Sequence, residues 1–154
     1  MSTEIPWPES RKEWKPTDMT VTYNGDGAFT ASTGAITFPM EAPVGMGGHG
    51  TAPNPIQYLI GSLGGCVGVK IILALGDRGI AVDGLTIAIH GTRATTMPAF
   101  FDNVHLKITL HADADDAMMK NIIDQTITRL CPISAMFAEC GEVTAECRIV
   151  RKTS

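Results

Sequence analysis

Residues 52–79, APNPIQYLIGSLGGCVGVKIILALGDRG, decide the architecture. Asn54-Pro55 is a helix start, since an asparagine side chain can cap free backbone N–H groups and proline's fixed φ suits the first helical position. Gly79, just after Asp77-Arg78, is the matching stop. Between them Leu59, Ile60, Leu63, Val67, Val69, Ile71, Ile72, Leu73 and Leu75 leave no continuous polar face, so the helix must be buried in lipid or in protein. Its length suffices for a membrane span. Yet Gln57 and Lys70 interrupt the run, and a lysine near the middle of a single span is costly. The segments downstream argue for protein and against a membrane. GLTIAIHG (84–91), NVHLKITLHA (103–112) and GEVTAECRIVR (141–151) alternate apolar and polar residues, as strands with one buried face do. In the second, Val104, Leu106, Ile108 and Leu110 face inward while His105, Lys107, Thr109 and His111 face out.

Working outward, MTVTYNGDGAFTAST (19–33) reads as a hairpin about Asn24-Gly25-Asp26-Gly27, whose glycines supply positive φ. A third short strand follows at AITFPM (35–40), then a glycine- and proline-rich loop, EAPVGMGGHGTAPNP (41–55). DADDAMMKNIIDQTITRL (113–130) has acidic residues at its start and Met118, Ile122, Ile123, Ile127 and Leu130 at helical spacing, which predicts an amphipathic helix. CPISAMFAECG (131–141) begins with a proline that stops this helix and starts a short new one. Three strands, a long helix, two strands, a helix, a short helix and a strand predict an α+β domain, with its helices on one face of a mainly antiparallel sheet. One amphipathic helix and one sheet face cannot enclose a helix that is apolar all round, so a second subunit is expected to complete the burial.

The chain has 154 residues, 44% hydrophobic and 18% charged, a globular composition for a single domain over 19–154 that follows a flexible polar tail, 1–18. A net charge of -4 with no Lys/Arg-rich arm leaves nothing to neutralise phosphates, so nucleic acid is not an expected partner. The polar, proline-broken start lacks the basic and apolar regions of a secretory signal, which makes the cytoplasm the expected compartment.

Chemistry is expected at the cysteines: Cys66, Cys131, Cys140 and Cys147. A cytosolic chain with a full-size core needs no disulfide staples. No CxxC pair nominates zinc, and the four histidines form no recognisable metal pair, so neither metal nor cofactor is expected. On a 3.6-residue helix Cys66 shares a face with Leu59, Ser62, Leu63, Val69, Lys70 and Leu73. Apolar neighbours leave a thiol inert, whereas an ammonium one turn away at Lys70 favours thiolate. The plain alternative is a small hydrophobe in a core. Gly64 and Gly65, costly inside a helix, suggest close approach by backbone, partner or ligand. Cys131, ahead of Pro132, can cap the next helix and feel its positive end, or simply fill a junction. Cys147 falls on the inward phase of the last strand. His49, with Gln57, is placed at a pocket mouth, and Arg93 is a loose cation at a strand end or an ordinary surface arginine.

On PNPIQYLIGSLGGC (53–66), LCPIS (130–134) and GTRATTMPAFFDNVHLKITL (91–110) the chain resembles the OsmC/Ohr family of thiol-dependent peroxidases over residues 20–150. The resemblance implies an intertwined homodimer in which sheets wrap two long helices, with the cysteine sites at the subunit interface. It implies that Cys66 attacks an organic hydroperoxide to give a sulfenic acid, that Cys131 resolves it as a disulfide, and that an external dithiol reduces the pair. The family's glutamate after the helix-start proline is Ile56 here, followed by Gln57, and the first hairpin lacks the family's arginine. Lys70 and Arg93 are the candidate replacements as thiolate-stabilising groups. The alternative is a catalytically weak or inactive member that binds a small hydrophobic ligand in the dimer-interface cleft.

Overall fold

The computed structural model describes residues 4–12 and 15–153. Its elements follow the expected order: β1 (Thr20–Gly25), β2 (Ala28–Thr33), β3 (Ile36–Glu41), α1 (Pro55–Gly76), β4 (Val82–Arg93), β5 (Phe101–Ala112), α2 (Asp116–Gln125), α3 (Pro132–Cys140) and β6 (Glu142–Val150). They form two compact units, one of Pro8–Ile60 and one of the residues up to Trp7 together with the chain from Gly61 onward.

In the first unit β1, β2 and β3 make an antiparallel meander, with Ala31 opposite Val21 and Phe38 and fully buried. The turn takes positive φ at Gly25, Asp26 and Gly27, as its sequence predicts. Glu41, at the end of β3, organises the following loop. Its buried carboxylate accepts from the Thr51 amide (2.7 Å), the His49 amide (3.2 Å) and the Thr51 hydroxyl (3.1 Å). Burial pushes this carboxyl up, but bonds from Thr51 and from the Ala52 and Gly50 amides outweigh it and hold Glu41 below the usual carboxylate range. The start of α1 is a capping box: Asn54 Oδ1 accepts from the Gln57 amide at 3.0 Å, and Gln57 Oε1 accepts from the Asn54 amide at 2.9 Å. The Tyr58 hydroxyl donates to the Pro39 carbonyl, its ring 5.2 Å from Phe38.

The second unit is a three-stranded sheet in the order β4-β5-β6 with helices around it. β4 and β5 pair antiparallel; β5 and β6 run parallel because α2 and α3 lie between them in the chain. Val104, Leu106, Ile108 and Leu110 of β5 are buried while Lys107 and His111 are exposed, and each full burial is worth about 1.5–3 kcal/mol. Leu63, Val67, Ile71, Ala74 and Leu75 bring one side of α1 into the same core. Of the glycine pair before Cys66, Gly64 lets the helix approach the sheet, since a methyl there would stand 2.8 Å from Ile89 Cδ1, whereas a methyl on Gly65 would meet nothing within 4 Å. The helix ends at the expected glycine in a Schellman motif, with Ile80 N–H on the Leu75 carbonyl, Gly79 N–H on the Gly76 carbonyl, and Gly79 at φ 70°.

Two features differ from the sequence pattern. The helix expected over 113–130 starts one turn later, capped by Asp115 on the Met118 amide at 2.9 Å, and widens at Thr126–Leu130 into a π-helical turn. Pro132 cannot continue the ladder, and the Cys131 amide reaches back to Thr126 instead, at 2.8 Å. Within the stretch expected to be a tail, Ile5 is buried in the second unit, and its carbonyl accepts from Arg129.

Candidate functional site

The second unit carries both principal thiols. Cys66 sits mid-way along α1, half-buried, and Cys131 is buried at the junction between the π-helical turn and α3. Cys131 is the N-cap of α3, with Pro132 at the first helical position and its sulfur accepting the Ser134 amide at 3.4 Å. Ser134, itself fully buried, ties this junction down through its hydroxyl, which donates to the carbonyls of Ile127 (2.6 Å) and Cys131 (3.1 Å).

The fold brings the two thiols near enough for Cys131 to act on the titration of Cys66. One turn along α1, Lys70 Nζ points back to Cys66 Sγ at 3.5 Å, an i,i+4 contact that the helix geometry makes directly. Burial pushes the Cys66 thiol up, and the Cys131 thiol beside it adds to the rise; the Lys70 ammonium pulls the other way, and the balance stays above the ordinary thiol range. Lys70 also lies 5.9 Å from the centroid of the Trp7 ring, within cation–π range.

The remaining predicted positions fall elsewhere. Arg93, at the end of β4, donates from Nε to the Ala99 carbonyl at 2.6 Å, within the β4–β5 connection. In the first unit, Gln57 is the reciprocal half of the α1 capping box, and His49 Nε2 stands 3.0 Å from Asp26 Oδ2, which raises the imidazole's affinity for its proton. Cys140 is exposed at the end of α3. Cys147 is half-buried over a groove of about 360 Å³ between α2 and β6, where burial and then the Asp116 charge push its thiol up. Among the described residues no group of three or more His, Cys, Asp or Glu side chains is placed to hold a metal ion. Trp7 and Ser134 are the site residues that sequence reasoning missed. Trp7 lies in a polar stretch without periodicity, and Ser134 is one ordinary helix residue; only the distant partners mark them.

The arrangement brings together a half-buried thiol, a second thiol near it, and an ammonium within hydrogen-bond distance of the first. The sequence matches the OsmC-like protein family over residues 48–146. None of the curated proteins matches it. Among solved structures the chain is similar to a hypothetical protein from Aquifex aeolicus VF5 (TM-score 0.79, 14% identity, covering 90% of this chain and 99% of that one). It is similar also to an OsmC-like protein from Mycoplasma pneumoniae (0.77, 19%, 90% and 99%). A third likeness is to an organic hydroperoxide resistance protein, OsmC, from Legionella pneumophila (0.65, 16%, 88% and 98%). With the family match spanning more than half of the chain and this fold around it, the protein belongs to the OsmC-like family.

Proposed function

We propose that this protein is a thiol-dependent peroxidase that reduces organic hydroperoxides. The observation that carries the reading is the Cys66 thiol standing against Cys131 with the Lys70 ammonium 3.5 Å from its sulfur. The hydroperoxide resistance named for the Legionella pneumophila relative agrees with it. The Cys66 thiolate attacks the distal oxygen of the hydroperoxide. A sulfur–oxygen bond forms, the O–O bond breaks, and the alkoxide leaves as an alcohol with a proton that Lys70 is placed to supply. Cys131 then attacks the Cys66 sulfenic acid, water leaves, and the two sulfurs, oxidised by two electrons, hold a disulfide. An external dithiol, itself oxidised to a disulfide, restores both thiols. After one equivalent of an organic hydroperoxide, mass spectrometry of the unreduced protein is expected to find Cys66 joined to Cys131. Two free thiols at these positions after peroxide treatment rule the cycle out.

A homodimer belongs to the same reading. Ser62, Gly65, Val69 and Ile72 recur at three- and four-residue spacing along α1 and are exposed, with Val69 at 54% and Ile72 at 41%. The face adjoins an open apolar groove of about 330 Å³ formed by Gly61, Gly65 and Gly68 against Leu85, Ile87 and Ile89. Apolar surface of this kind on a core helix asks for a cover, and a second copy brings a matching face. Val69→Glu is expected to convert a dimer into a monomer in sedimentation velocity. A variant that sediments as the parent does places the contact elsewhere.

The second reading is a family member that turns over peroxide no faster than a free thiol and keeps the groove for a small apolar ligand. Ile56 in place of the family's glutamate and the raised Cys66 thiol favour it. In it the disulfide does not form, so the same mass measurement separates the two.

A further inference from the structure

We propose that residues 4–7 form a strap that positions the thiol site, and that Trp7 holds the Lys70 ammonium on Cys66. The strap touches both cysteine-bearing elements. At one end Glu4 Oε1 lies 3.3 Å from Arg129 Nη1, and Arg129 also donates to the Ile5 carbonyl; Arg129 is two residues ahead of Cys131. Ile5, at 1% exposure, anchors this end in the core. At the other end the half-buried Trp7 ring faces Lys70, whose Nζ also reaches Cys66.

A lysine carries its charge on a flexible four-carbon stem and extends toward water when nothing restrains it. At a half-buried position beside a thiol, the indole face supplies the restraint. It attracts the ammonium through the ring quadrupole while leaving its N–H donors free for sulfur. The groups acting on Cys66 are the Cys131 thiol and Lys70, while Glu4 is taken up by Arg129 and Arg129 by Glu4, Ile5 and Gln125. Lys70 therefore links the Trp7 ring to the sulfur. The inference rests on Cys66 being the reactive thiol, but it needs no peroxide chemistry.

The test is the rate of Cys66 alkylation by iodoacetamide as a function of pH, read site by site by mass spectrometry on the full chain. Since Lys70 favours the thiolate, loosening it moves the inflection to higher pH. Trp7→Ala is expected to do this and to slow alkylation near pH 7 by about three- to tenfold, in keeping with a cation–π contact. Trp7→Phe, which keeps a ring face, retains most of the parent profile. Lys70→Met moves the inflection at least as far, and adding Trp7→Ala to it produces no further movement. An unchanged or lowered inflection in Trp7→Ala overturns the proposal, as does an equal movement in the Lys70→Met background, which marks a merely structural role. If the proteins consume no hydroperoxide while the profiles move as stated, the peroxidase reading fails and the strap stands.

Discussion

Cys66→Ser is expected to bring organic hydroperoxide consumption down to the background of free thiols, while Cys131→Ser, with no dithiol present, consumes one equivalent and then stops. A serine hydroxyl at position 66 keeps the shape of the site but ionises far too weakly to attack an O–O bond, so the first step is lost whatever the other residues do. Cys140 is exposed at the end of α3 and Cys147 is over the α2–β6 groove with its thiol pushed up, so neither inherits the role. Loss of Cys131 leaves that first step intact. The Cys66 sulfenic acid then persists, because no other sulfur replaces its neighbour, and a sulfenic-acid reagent such as dimedone should label position 66 in this variant alone. Folding should survive, since serine is among the preferred N-cap residues and can accept the Ser134 amide that the Cys131 sulfur accepts now. The measurement is hydroperoxide loss per mole of protein, with and without a dithiol reductant. Multiple turnovers by Cys66→Ser would remove this thiol from the chemistry and the proposed cycle with it.

The elements of the fold were largely legible because their signals are local. The alternation in β5, the Asn54-Pro55 start and Gly79 stop of α1, and the cap at Cys131 each follow from a few adjacent residues. The contact of Cys66 with Lys70 is likewise local, being one helical turn. That Cys131, 65 positions away, comes near enough to act on Cys66 is not written in either segment; the family resemblance implies it and only the tertiary fold supplies it. Gln57, expected at a pocket mouth, stands three residues after the cap asparagine and completes the capping box of α1. Arg93, expected as a loose cation at a strand end, donates to the Ala99 carbonyl, a backbone partner that sequence pattern does not display. Trp7 escaped notice for the same kind of reason, since its partner Lys70 lies on another element.

Gly141→Ala is expected to lower the stability of the fold by about 3 kcal/mol, the upper part of the usual range for overpacking. The cause is space, since Gly141 has φ −169°, extended backbone that any residue adopts. A methyl group there would lie 2.3 Å from the Asp102 carbonyl oxygen, 2.5 Å from its carbon and 2.7 Å from Asp102 Cα. All three are main-chain atoms of the central strand β5, so no side-chain rotation relieves the clash, in contrast to Gly64, where the obstacle is the tip of Ile89. Relief requires α3 and β5 to separate. Both are fastened at that point: the Gly141 amide closes α3 on the Phe137 carbonyl at 3.0 Å, the Phe137 ring stands 5.6 Å from Phe101, and the parallel pairing of β6 with β5 begins at Glu142 opposite Asn103. For a chain of this size the loss corresponds to a fall in Tm of about 6–12 °C, readable by circular dichroism. Because Cys131 caps the same helix, the shift of α3 should also slow closure of the Cys66–Cys131 disulfide at temperatures where the variant remains folded. A Tm within 2 °C of the parent would mean that the Asp102 backbone yields without cost, and that α3 is not held against β5 as the close approach at Gly141 implies.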